Sequence, residues 1–232
     1  MADYGQFCPV AKASELLSER WTLLIIRELV LGTHRFSDFQ RALSRISPTL
    51  LAKRLSQLED TGILIRKKPQ GRRGYEYFLT AAGKDLAPLI EHLATWGMRW
   101  TRGQLKDKEL DVNFLMWDIR RRLQLDALPD GEIVICVIFG ELEKHKSWWL
   151  IVCDGSVDLC TENPGKDVDI YINSTVRSLI QIWEGKIEIK RALNEGLIST
   201  QGNQLLAKSL PDWFGICKYA HIQPEPSTIQ SR

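Results

Sequence analysis

Apolar residues recur at helical spacing through the first hundred positions, then shift to the spacing of strands. VAKASELL (10–17) and WTLLIIRELVL (21–31) read as apolar-rich helices. Ser18 is placed to start the second and Gly32 to end it. In RFSDFQRAL, Phe36, Phe39 and Leu43 fall at i, i+3 and i+7, one face of a short helix. The tight connector RIS leads into SPTLLAKRLSQLEDTG. There Ser47 supplies an N-cap, Pro48 occupies the first helical position, where its missing N–H costs nothing, and Gly62 closes the helix. Leu51, Leu55 and Leu58 recur at i, i+4 and i+7 and face a core, which turns Thr49, Lys53, Ser56 and Gln57 to the other side. Residues 63–68 and 75–80 predict two strands joined through 69–74. A helical pattern follows over about 81–100, and Pro88 predicts a kink because it cannot donate to the helix ladder.

RGQLKDKELD (102–111) is polar and aperiodic, as a linker would be. Beyond it, IVICVIF (133–139) is apolar at every position, the signature of a strand covered on both faces. SWWLIVCDG, VDLCTEN and VDIYINS predict further strands separated by turn residues. Ser174 is placed to cap the helix TVRSLIQIWEG, which Gly185 ends. IEIKRALNEG predicts a short helix, LISTQGN a strand and QLLAKSL a last helix, and the tail QPEPSTIQSR reads as disordered. The fold class is α+β in two domains, 1–104 and 110–222.

Charge separates the same halves. Residues 1–108 hold 18 Lys and Arg against 11 Asp and Glu, a net +7, whereas 109–232 carry −5 within an overall +2. From Arg35 to Arg73 there are ten cations and three acids. Two short helices, a tight turn and a basic hairpin, in that order, predict a winged helix-turn-helix. Its second helix enters the major groove, and its wing flanks the duplex. Ser47, Thr49 and Lys53 sit in the half of the helix that meets base edges, and the helix N-terminus suits a phosphate. Gly71 and Gly74 let the wing turn, so that Arg72 and Arg73 reach the backbone or the minor groove. Leu86, Leu89, Leu93, Trp96 and Trp100 form a seam that could pack on a twin.

Other chemistries find little support. No apolar run nears the roughly 18 residues of a membrane span, and no basic start precedes an apolar block, so neither membrane insertion nor a signal peptide is expected. Five cysteines (8, 136, 153, 160, 217) form no C-x-x-C pair and suit reduced thiols in a cytoplasm. Four scattered histidines show no metal-ligand spacing. There is no nucleophile elbow, P-loop or dinucleotide fingerprint, so neither catalysis nor a cofactor is expected.

Residues 7–102 resemble the bacterial HxlR-type winged-helix regulators. The resemblance rests on the Cys-Pro start, WTLLIIREL, RFSDF, ISPTLLAKRL, and LTAAG followed by a Trp-Gly ending. It implies a homodimeric DNA-binding transcriptional regulator that contacts double-stranded DNA through Ser47, Pro48, Thr49, Lys53, Arg54, Arg72 and Arg73. It also implies a candidate redox role for Cys8, since some such regulators sense oxidants or electrophiles with a cysteine at this place. A cation such as Lys12 would lower that thiol's pKa if it lay close.

Residues 110–220 resemble the sterol-carrier-protein-like fold. A strand leads to a helix ending Trp-x-Gly. A short Ala-containing helix, Gly, a strand, Gly-Asn and a last helix follow. Such domains bind lipids or other apolar molecules in an internal tunnel, which makes Trp117, Trp148, Trp149, Trp183 and Phe214 candidate lining residues. Ordinary core packing is the alternative for each. The combined expectation is a one-component regulator whose second domain senses an apolar small molecule. The alternatives are a Cys8 redox regulator with a purely structural second domain, and an enzyme activity in that domain.

Overall fold

The structure, a computed structural model, describes residues 3–71, 73–101 and 105–225. The chain forms two compact units, Met1–Trp96 and Gly97–Arg232.

The first unit runs α1 (Pro9–Leu17), α2 (Thr22–Val30), α3 (Phe36–Ala42), α4 (Pro48–Asp60), β1 (Leu64–Lys67), β2 (Glu76–Leu79), α5 (Ala81–Lys84) and most of α6 (Ala87–Trp100). Its core joins Ile25, Ile26 and Leu29 of α2 to Phe39 and Ala42 of α3 and to Leu51, Leu55 and Leu58 of α4. Helices α2 and α4 end alike. Gly32 and Gly62 donate to Leu29 and Glu59, and the next residues, Thr33 and Ile63, donate to Glu28 and Leu58. This is the six-to-one and five-to-two pairing that satisfies the last carbonyls of a helix. Glu28 is fully buried within WTLLIIREL. Its carboxylate pairs with Arg27 at 2.8 Å and accepts the Thr33 hydroxyl at 3.0 Å.

Two expectations need correction here. Ser18 closes α1, its N–H bonded to the Ser14 carbonyl. It lies too far ahead of Thr22 to cap α2, which is entered through Trp21. The helix expected over 81–100 is two helices. Thr80 caps the short α5 by accepting from the Gly83 N–H, and the chain restarts as α6. Pro88 lies just past the break. In a continuous helix its missing N–H would face the Lys84 carbonyl, so the expected kink takes the form of an interruption at 85–86, and Pro88 itself sits in the first turn of α6.

Strands β1 and β2 pair antiparallel, with Ile65 opposite Phe78 and Lys67 opposite Glu76. A third segment joins them: Arg35 bridges Glu76, and the Tyr77 N–H donates to the His34 carbonyl at 2.8 Å. Helix α5 presses on this hairpin so closely that a Cβ on Gly83 would stand 2.1 Å from the Ile63 carbonyl oxygen.

In the second unit, α7 (Val112–Arg122) precedes β3 (Ile133–Phe139), β4 (Ser147–Cys153), β5 (Ser156–Cys160) and β6 (Ile170–Ser174). Next come α8 (Val176–Trp183), α9 (Ile189–Asn194), β7 (Ile198–Gly202), α10 (Gln204–Lys208) and α11 (Leu210–Trp213). The sheet order is β5-β4-β3-β6-β7, with only β3 and β6 parallel. The uniformly apolar β3 is the central strand, buried at six of seven positions. Helix α7, which the sequence reading left unassigned, contributes Leu115, Met116, Trp117 and Ile119 to the core. Thr175 caps α8 by accepting from the Ser178 N–H, whereas the Ser174 hydroxyl donates to the Leu197 carbonyl, so Ser174 is not the cap.

Candidate nucleic-acid interface

Helix α4 is anchored by its leucines and presents its other face outward. Ser47 is its N-cap, and its hydroxyl accepts from the Leu50 N–H at 3.3 Å. Ser47, Pro48, Thr49, Ala52, Lys53 and Ser56 are all exposed, so the N-terminal half of the helix offers hydroxyls and one ammonium. Of these, Ala52 was not singled out from the sequence, and its chemistry gives no reason to do so.

Arg54 does not belong with them. It is 8 % exposed, and its guanidinium is held inside the unit. It donates to Glu19 at 2.5 Å, to Gln57 at 2.6 Å and to the Arg20 carbonyl at 3.1 Å. Contrary to the expectation that it contacts DNA, its guanidinium is taken up by partners within the unit. The residue ties α4 to the turn after α1.

The wing divides its cations. Arg66 pairs with Glu59 at 3.2 Å and lies over the Tyr75 ring at 4.9 Å. Lys67 sits over the Phe78 ring at 5.4 Å, on the opposite face of β1. Lys68 and Arg73 are exposed at the tip, and Arg72 lies outside the described residues. Gly71 and Gly74, with φ of 70° and 94°, take the left-handed backbone the turn requires. Burial raises the Tyr77 phenol above its ordinary pKa, against the opposing pull of Arg66.

A separate surface of this unit is apolar. No residue of α1 is buried, and Tyr4, Phe7 and Val10 are exposed, Phe7 at 99 %. On α6, Leu89, Leu93 and Trp96 share one exposed face. Cys8 is exposed at the start of α1, and all five cysteines are free.

The aromatic candidates of the second unit do not share one environment. Trp117, Trp148 and Phe214 are buried core residues, 2 %, 3 % and 4 % exposed. Trp149 and Trp183 are half-buried. The Trp183 indole donates to Asp118 at 2.9 Å, and Phe114 meets its ring edge-on at 5.8 Å. Among the described residues, no three His, Cys, Asp or Glu side chains converge as a metal site would require. No helix among them is long and apolar enough to cross a membrane.

Comparison with known proteins bears on the first unit. The family described as HxlR-like helix-turn-helix matches residues 16–105. YvaP of Bacillus subtilis (strain 168), described as an uncharacterized HTH-type transcriptional regulator, is 38 % identical over 98 residues, which cover 41 % of this chain and 91 % of YvaP. The chain belongs to the HxlR-like helix-turn-helix family. YtfH of Escherichia coli (strain K12), described in the same terms, is 35 % identical over 94 residues, covering 40 % of this chain and 75 % of YtfH. Among solved structures, the reduced form of the transcriptional regulator YodB from B. subtilis is 32 % identical, covers 40 % of this chain and 92 % of that one, and superposes with a TM-score of 0.36. The HxlR-like match thus spans α2 to α6, with the exposed half of α4 and the wing both inside it.

Proposed function

We propose that the chain is a transcriptional regulator that binds double-stranded DNA as a homodimer, reading base edges with the N-terminal half of α4 and gripping the backbone with the wing tip. The observation that carries this reading is the paired exposure of Ser47, Thr49 and Lys53 on α4 and of Lys68 and Arg73 on the wing. Family membership supports it. Dimerisation is supported by α1, since a nine-residue helix with no buried residue cannot hold its shape on propensity alone. A twin would cover α1 together with Leu89, Leu93 and Trp96. Arg72 remains a proposed backbone contact beside Arg73.

The second unit is proposed to bind an apolar small molecule or lipid. The order strand, helix ending Trp-x-Gly, short helix, strand and Gly-Asn-capped helix supports the sterol-carrier-protein-like reading. The half-buried Trp149 and Trp183 are better placed to meet a ligand than Trp117, Trp148 or Phe214. Mass spectrometry of organic extracts from the purified chain tests this: a co-purifying lipid supports it, and repeatedly clean extracts count against it.

Cys8 supports a second reading, an oxidant response through an exposed thiol at the edge of the proposed dimer contact. Cys8→Ser would then abolish that response without changing basal DNA binding. The test of the main proposal is selection of duplexes from a random pool. An inverted repeat enriched by the wild type, with Thr49→Ala losing preference at a defined base pair, is the expected result. Enrichment of nothing above the pool contradicts it.

A further inference from the structure

The wing has a second face that the DNA-binding proposal does not use. Ile65 and Lys67 lie two apart on β1, and Phe78 stands opposite Ile65 across the ladder, so their side chains share one side of the hairpin. That side forms one wall of a groove of about 430 Å³, and Leu29 and Val30 of α2, Leu79 of β2 and Ala87 of α6 complete the apolar lining. The volume falls within the range of small-molecule sites. His34 stacks on Phe78 with ring centroids 4.5 Å apart, making a flat aromatic surface beside the groove. The His34 Nδ1 donates to the Tyr77 carbonyl at 2.9 Å, which fixes that ring against β2.

The charge of the lining is one-sided. Lys67 and Lys84 are its charged residues, and it contains no carboxylate. Among the described residues neither ammonium meets an acid, although Lys67 sits over the Phe78 ring. Ile65 remains 43 % exposed within this groove, an apolar side chain left facing solvent. Apolar walls reward burial of a hydrophobic body, a stacked aromatic surface favours a flat one, and two ammonium groups that meet no acid among the described residues favour an anion attached to it.

We propose that this groove binds a planar aromatic carboxylate, with the ring against Phe78, Ile65 and Leu79 and the carboxylate between Lys67 and Lys84. Four of those residues belong to the wing strands and Lys84 to α5, so an occupant bears on the support of the wing. Occupancy shifts DNA affinity to the extent that the carboxylate binds one wing position better than another. That consequence rests on the proposed DNA-binding reading; the binding site itself does not.

Calorimetric titration of the full chain with 2-naphthoate tests the site, with the uncharged 2-naphthalenemethanol as comparator. One naphthoate per chain is expected, with at least about tenfold weaker binding of the alcohol and a similar loss in Lys67→Ala/Lys84→Ala. Ile65→Glu places a carboxylate in the groove at an already exposed position, and should abolish naphthoate binding while leaving the thermal transition in place. Absence of naphthoate binding overturns the site. So does equal affinity for acid and alcohol, or affinity unchanged in both variants, which would place the ligand elsewhere in the chain. Naphthoate affinity that falls as chain concentration rises would give the groove to a second copy and also overturn it. DNA titrations with and without naphthoate then test the coupling: a shift in wild type that is absent in Ile65→Glu is expected, and no shift in wild type removes the coupling alone.

Discussion

The two units use their arginines and lysines in opposite ways. In the first unit Lys53, Lys68 and Arg73 stand in solvent. In the second, three consecutive arginines of α7 turn inward. Arg122 pairs with the buried Asp118, Arg121 lies 3.6 Å from the same carboxylate, and Arg120 stacks on the Trp117 ring at 4.0 Å while donating to the Val157 carbonyl. Asp118 also accepts the Trp183 indole, so one carboxylate of 1 % exposure organises α7 against α8. By local count IRRR is as basic as the wing, yet its charge is spent inside the fold. A run of cations becomes a nucleic-acid signal only when the hydrophobic pattern around it leaves those positions outside. Arg54 makes the same point within α4, beside the exposed Lys53.

The contrast breaks most visibly at Asp118. Asp118→Ala leaves two guanidinium groups and an indole N–H without their buried acceptor, and a loss of about 3–5 kcal/mol is expected. It should appear in denaturant titration as an earlier unfolding step of the second unit, followed by tryptophan fluorescence, with the step of the first unit unmoved. The corresponding lesion in the first unit is Gly83→Ala. A Cβ 2.1 Å from the Ile63 carbonyl forces α5 off the hairpin, at a cost of about 2–3 kcal/mol to that unit in the same titration.

Neighbours on α4 sharpen the comparison. Arg54→Ala should cost about 2 kcal/mol of stability by removing three hydrogen bonds from a buried site. Lys53→Ala should stay within about 0.5 kcal/mol in denaturation and instead weaken DNA binding. A last effect is confined to alkali and vanishes at neutral pH. Burial pushes the Cys136 thiol from its ordinary value near 9 up to about 11. Below pH 9 the thiol is protonated in both folded and unfolded chains and contributes no pH dependence. Between pH 9 and 11 the unfolded chain loses this proton while the folded one keeps it, so stability falls as pH rises. A denaturation series over that window should show a steeper fall for wild type than for Cys136→Ala.

Much of this arrangement is legible in the residues. The leucine stripe of α4, its Ser-Pro start and the glycine after it fix which half of the helix is presented. The uninterrupted apolar run of β3 marks a central strand without any contact information. Arg54 was legible too: it lies three residues after Leu51 and four before Leu58, on the buried stripe, and its charge alone suggested otherwise. The inward turn of Arg120–Arg122 was hidden, because it depends on Asp118 and on Trp183, sixty-five residues away. The start of α5 was also hidden: Thr80 is an ordinary strand residue until its hydroxyl bonds Gly62 and Ile63 and its oxygen caps α5, whereas the break that follows was signalled by Pro88. Local patterns carry the elements, while the partners of buried polar groups come from distant sequence.

The most direct test of the central claim is the salt dependence of DNA binding, measured on the selected duplex for wild type, Lys68→Ala, Arg73→Ala and Arg191→Ala. Arg191 is an exposed cation of the second unit, paired with Glu195 at 2.7 Å. The account predicts that the slope of log K against log salt becomes shallower by about 1 for each wing variant and stays at the wild-type value for Arg191→Ala. An unchanged slope in both wing variants, or an equal loss in Arg191→Ala, would contradict it.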